Sequence, residues 1–130
     1  MNTHLEFKSS AFPAYEGESE HINPDRWGMR LAEYLHHELP AHGFTPDIDP
    51  FYEDWGVCFT LKNDGFPIMI GCGNQGENEY LIFIDPSETQ IKKGLLRRKL
   101  IDTTPVVIPL SEAIETIVRV HPDSTDVQWQ

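Results

Sequence analysis

The residues best suited to chemistry gather around Glu53-Asp54-Trp55-Gly56. Adjacent carboxylates at a strand start can serve as a general acid and base, or as metal ligands. Neighbours in an extended chain point to opposite sides, however, so Glu53 and Asp54 would seldom act on one atom. The competing reading is a solvated loop with Trp55 turned into the core. Cys58 lies just beyond and is the candidate reactive thiol, though no flanking residue marks it as a low-pKa nucleophile. A histidine of the first helix, such as His37, would have to reach it in space. The catalytic candidates are therefore Glu53, Asp54, Cys58 and His37, set against the reading that none is catalytic.

The other chemical signals have structural explanations. His36, His37 and His42 cluster where a helix should end, a favourable place for a positive charge. Their spacing matches neither the i, i+4 ligand pair of a helical zinc site nor H-E-x-x-H, so no metal is expected. Gly71, Gly73 and Gly76 satisfy G-x-G-x-x-G. A dinucleotide fingerprint joins a strand to a helix, whereas this one runs into Glu77-Asn78-Glu79 and a further strand. Ser87, Thr89, Ser111 and Ser124 read as caps or turn residues, and no G-x-S-x-G occurs. No cofactor is called for.

Charge supplies a different signal. The 130 residues hold 10 Lys+Arg against 21 Asp+Glu, a net charge of -11. Five bases (Lys92, Lys93, Arg97, Arg98 and Lys99) lie together in a stretch without acids. The remaining five bases face all 21 acids, which leaves a body of about −16. General nucleic-acid binding needs cations to displace counterions and is excluded. The 92–99 segment is the candidate partner-binding surface, against the reading that it is a solvated face balancing the chain's own acids. No apolar run reaches the ~20 residues of a membrane span. The first residues lack a basic and apolar leader pattern, so a cytoplasmic location is the expectation.

The elements that position these groups follow from pattern. Leu5 to Phe12 begins with alternation and predicts a first strand. Asn23-Pro24 predicts a helix start, with Trp27, Leu31, Tyr34 and Leu35 at helical spacing. Phe44 to Asp49 predicts a short strand. Residues 55–62 and 66–73 alternate around Asp64-Gly65, which suits a two-residue type I′ turn. That turn sets Leu61 opposite Ile68, Phe59 opposite Ile70 and Val57 opposite Cys72. Cys58 and Cys72 then face opposite ways and should not form a disulfide. Tyr80 to Ile84 reads as a central strand. Ser87-Glu88-Thr89-Gln90 fits a capping box and predicts a helix from Glu88 to about Leu100, which Gly94 weakens. Asp102 to Pro109 reads as extended, Ser111 as the cap of a final helix, and Val127 and Trp129 as a last strand. The expected fold is one α+β domain over 1–130. Its mainly antiparallel sheet has four to six strands, and its two or three helices lie mainly on one face. The other face would display Cys58, Thr60, Lys62, Met69 and Gly71.

Trp27-Gly28, Glu53-Asp54-Trp55-Gly56 and Ile70-Gly71-Cys72-Gly73-Asn74 resemble elements of a family of small uncharacterised bacterial proteins. The likeness covers most of the chain and implies a single-domain bacterial protein. It brings no activity, cofactor or site residue. The leading expectation is thus an acidic binding or accessory protein with a basic protein partner, in bulk like small proteins that neutralise a toxic partner. A second reading is a small hydrolase or ligand-binding domain near Glu53, Asp54, Cys58 and a first-helix histidine. A third is a homodimer assembled through residues 92–99 or an exposed strand edge.

Overall fold

Val57, Phe59 and Leu61 stand opposite Cys72, Ile70 and Ile68, the register that apolar parity requires. A computed structural model describes residues 1–94 and 99–130. The loop of this hairpin departs from the expected type. Of its central pair only Gly65 has a positive φ, 98°, whereas a type I′ turn needs one at both positions. The Asn63 side chain closes the loop instead, donating to the Phe66 carbonyl at 3.0 Å.

The hairpin supplies the second and third strands of a six-stranded antiparallel sheet. In chain order its strands are β1 (His4–Ser9), β2 (Phe51–Glu53), β3 (Gly56–Leu61), β4 (Ile68–Gly76) and β5 (Glu79–Asp85), with β8 (Ser124–Trp129) last. Across the sheet the order is β2-β3-β4-β5-β1-β8. Two helices, α1 (Met29–Glu38) and α2 (Thr104–Val120), pack on one face. Leu31 and Leu35 of α1 join Val107, Leu110 and Ile114 of α2 over Leu5, Phe59, Ile70 and Ile82. Removing these side chains from water supplies the main driving force, about 1.5–3 kcal/mol for each fully buried Leu, Ile or Phe. The α+β class and the one-sided placement of the helices are as the sequence predicts.

The strand expected over 44–49 is only a single bridge, Pro46 to Leu61, and three further local expectations are corrected. The first helix begins at Met29, not near Pro24. Asp25 has φ 63°, a left-handed conformation that no helix accommodates, so residues 23–27 form a loop. The cap is not Asn23 but Glu18, which is 2% exposed. Its Oε2 accepts the N–H groups of Gly28 and Met29, each at 2.8 Å, and its Oε1 accepts that of Tyr15 at 2.9 Å. A carboxylate here also meets the positive end of the helix dipole.

The helix expected over 88–100 is a β-hairpin, β6 (Gln90–Lys93) with β7 (Lys99–Asp102). Gly94 at φ 102° turns the chain out of β6. The capping-box backbone is used elsewhere: the Thr89 carbonyl accepts from Thr103 N at 2.9 Å, and the Glu88 carbonyl from Thr103 Oγ1 at 2.6 Å. Ile91 and Ile101, paired across the hairpin, pack against the core.

The stretch from 104 to 109 is helical rather than extended, and Ser111 lies inside α2. Pro105 occupies the first turn, where no N–H is needed. Pro109 removes one helical hydrogen bond, at a cost of ~3 kcal/mol. The buried stripe of Val107, Leu110, Ile114, Ile117 and Val118 offsets that cost.

Candidate functional site

The face of the sheet away from the helices carries Cys58, Gly71, Gly73, Leu81 and Phe83. Cys58 pairs with Gly71, Gly71 with Phe83, and Gly73 with Leu81. Gly71 lets rings lie flat on this face, because a Cβ there would overlap both the Phe83 ring and Trp55. The Trp55 and Phe83 rings are 5.0 Å apart, tilted by 53°. His4 stacks on Phe83 at 5.7 Å. Trp55 is not a core residue. It sits in the turn between β2 and β3 and remains 40% exposed.

Above this aromatic floor, the loop of residues 23–27 forms one wall of a cleft. Asn74, 4% exposed on β4, holds the loop in place. Its backbone N–H donates to the Trp27 carbonyl at 3.0 Å. Its Oδ1 accepts from Trp27 N, and its Nδ2 donates to the Asp25 carbonyl, both at 2.9 Å. Arg26 Nη1 then donates to the Asn74 carbonyl at 2.9 Å, which anchors the guanidinium on the rim. Asn23 Nδ2 donates to the Asp54 carbonyl at 2.9 Å, tying the loop to the β2–β3 turn. The cleft measures about 380 Å³ and is lined by Asn23, Arg26, Trp55, Gly73, Asn74, Gln75, Leu81 and Phe83. Binding sites for small molecules typically begin near 300 Å³.

Its electrostatics set it apart. None of the eight lining residues is acidic, in a chain with 21 Asp+Glu. Three other surface clefts each expose acids: Asp47 and Asp64 in one, Asp25 and Glu77 in another, Glu6, Glu79 and Asp126 in the third. Among the described residues Arg26 makes no ion pair within 4.0 Å. Trp27 and Trp129 donate their indole N–H groups to Tyr80 Oη and Glu115. The Trp55 indole has no such acceptor among the described residues.

The sequence-predicted catalytic residues do not line this cleft, and the sheet separates His37 from Cys58. Glu53 and Asp54 are exposed at the β2–β3 turn. Cys58 is buried beneath the open face, and burial, aided by the Glu53 charge, pushes its thiol up to about 11. His37 is exposed on α1, 3.8 Å from Glu38, on the far side of the sheet. His36 packs edge-on against Phe59 at 5.3 Å, also on the helix side. Cys72 faces the core, and both cysteines are free. Among the described residues no group of three His, Cys, Asp or Glu side chains could hold a metal ion.

The glycines of the G-x-G-x-x-G match lie within β4, which turns directly into β5. Of the cationic candidates, Lys92, Lys93 and Lys99 are exposed on the β6–β7 hairpin. Lys93 Nζ donates to the Gly65 carbonyl at 2.5 Å, which leans this arm on the β3–β4 loop. Arg97 and Arg98 lie outside the described residues. Neither a family model, nor a curated protein, nor a solved structure matches this chain.

Sequence reasoning missed Asn23, Arg26, Gln75 and Phe83 as site residues. The loop holding Asn23 and Arg26 carried a helix signal. Phe83 sat in an apolar run whose two faces sequence does not distinguish. The one usable sign was Arg26 itself, a lone base between Glu16 and Arg30 in an otherwise acidic stretch.

Proposed function

We propose that this is a non-catalytic binding protein that takes a small ligand in the open-face cleft. The carrying observation is the cleft's composition: two aromatic rings and an anchored arginine, without a carboxylate, on a protein of net charge -11. Such a site offers a flat apolar surface with a few fixed donors, the usual make-up of a ligand pocket. The separation of Cys58 from His37 by the sheet supports binding over hydrolysis, because acid–base partners need contacts of about 3 Å.

Ligand-detected NMR with a panel of planar fragments tests this reading. The native chain should bind members of the panel, and Leu81→Trp, which fills the cleft, should not. Circular dichroism would establish that the variant is folded. Fragments that bind both chains alike, or none at all, would overturn the proposal.

The acidic body supports a second contact, with a basic protein partner. Among the described residues only Lys8–Asp126 and Arg119–Glu115 pair a Lys or Arg with a carboxylate, so most acids face solvent unneutralised. Affinity purification at low salt should recover a basic protein that high salt releases. Recovery of the lone chain at both salt levels contradicts this reading.

A further inference from the structure

We infer that the ligand of the open-face cleft is a planar organic anion, an aromatic ring bearing a carboxylate or a phosphate; this rests on the cleft being the binding site. The ring would lie on Trp55 and Phe83, whose tilted rings approach the sheet backbone closely because Gly71 has no side chain there. The anionic group would meet Arg26. One guanidinium nitrogen of Arg26 is committed to the Asn74 carbonyl, which fixes the plane of the group and leaves its other donors free for a ligand. Planar guanidinium suits bidentate pairing with carboxylate or phosphate.

The charge pattern makes this more than a shape argument. A cation on the surface of a strongly acidic protein would ordinarily be met by one of the chain's own carboxylates. Asp25 and Asp54 are close in sequence to Arg26 and Trp55, yet both engage the site through backbone carbonyls, to Asn74 Nδ2 and Asn23 Nδ2. Neither side chain lines the cleft. The loop therefore presents a base while keeping neighbouring acids out, and the open charge is the complement of an anionic ligand. A cationic ligand would be expected to choose one of the three acid-lined clefts instead.

Affinities for matched probes test this. Naphthalene carrying a carboxylate (1-naphthoate), a phosphate (1-naphthyl phosphate), a neutral alcohol (1-naphthalenemethanol) or an ammonium (1-naphthylmethylamine) differ mainly in the appended group. Titrated by chemical-shift perturbation at the Gly73 and Gln75 amides, an anionic probe should bind about tenfold more tightly than the ammonium, the scale of one charge-assisted hydrogen bond. Arg26→Gln should remove that preference, so that the anionic and ammonium probes bind with similar affinity. Carboxylate against phosphate then decides between the two anion types. Equal affinity for all four probes at the cleft would overturn the anion inference and leave the cleft itself standing. No perturbation at Gly73 or Gln75 by any probe would overturn both. A preference that persists in Arg26→Gln would overturn the role of this arginine. Arg26 is exposed and its loss breaks a single hydrogen bond, so the variant is expected to fold.

Discussion

Arg26 Nη1 donates to the carbonyl oxygen of Asn74 at 2.9 Å, and through that bond a loop residue acquires a fixed place over the sheet. Asn74 carries the loop with the rest of its polar groups. Its backbone N–H, Oδ1 and Nδ2 are all used on residues 25–27. Asn74→Ala keeps both backbone bonds and loses the two made by the side chain. It leaves Trp27 N–H without its acceptor, for an expected loss of about 2–3 kcal/mol. Urea unfolding measures this, and the same variant should lose the cleft's affinity for its probes.

Gly71 is a second fixed point. Gly71→Ala sets a Cβ into the Phe83 ring and against Trp55, so the aromatic floor must shift. Overpacking of this kind costs about 1–3 kcal/mol. Gly43→Ala is the comparison: it meets no neighbour within 4 Å, and its strain comes from φ 88° alone. Both should lower stability, but only Gly71→Ala should change the fluorescence of Trp55.

How much of this was legible in sequence depends on where each signal lives. The β3–β4 register could be read because alternation at Val57, Phe59 and Leu61 is local and matches Ile68, Ile70 and Cys72 at one register alone. The Glu18 cap could not, because its partners lie ten and eleven residues on, brought back by a loop that no propensity describes. The 88–100 segment misled because a capping box is a local signal, whereas Ile91 and Ile101 are placed by burial against the core. The cleft was invisible for a related reason: Arg26, Trp55 and Phe83 come from three separate elements and meet only in the folded sheet.

The thiols offer a check on the open face. Cys58 and Cys72 are both buried, and both thiols are pushed up, chiefly by desolvation. A raised thiol pKa favours the neutral form in the folded state. The stabilisation it gives is complete below the unfolded value, near 9, and for Cys58 it is lost as pH rises from there to about 11. At pH 8 the native chain should resist a disulfide-exchange reagent such as DTNB for as long as it stays folded. Guanidinium should expose both thiols at once. Rapid labelling of one thiol in the native state would show that Cys58 is reached through the open face.

Glu115 joins α2 to β8, accepting from Trp129 Nε1 at 2.6 Å and from Arg119 Nε at 2.8 Å. These bonds, the tryptophan's first, hold its carboxyl below the usual range. A lowered carboxyl pKa contributes stability that is present above the unfolded value and lost as pH falls through the folded one. Trp129→Phe should therefore lower stability at neutral pH and flatten the acid-side slope below about pH 4.5, so that variant and native chain converge in acid. Unfolding midpoints measured from pH 3 to 7 test this, and an unchanged acid slope contradicts it.

The central claim is that a ligand sits on Trp55. The three tryptophans make it directly measurable in one proton–nitrogen correlation spectrum, because Trp27 and Trp129 have their indole N–H groups bonded to Tyr80 and Glu115. Adding 1-naphthoate should shift the Trp55 indole signal, assigned by its absence in Trp55→Phe, and leave the other two in place. A Trp55 signal that stays still at saturating ligand, while either other indole moves, would contradict the account.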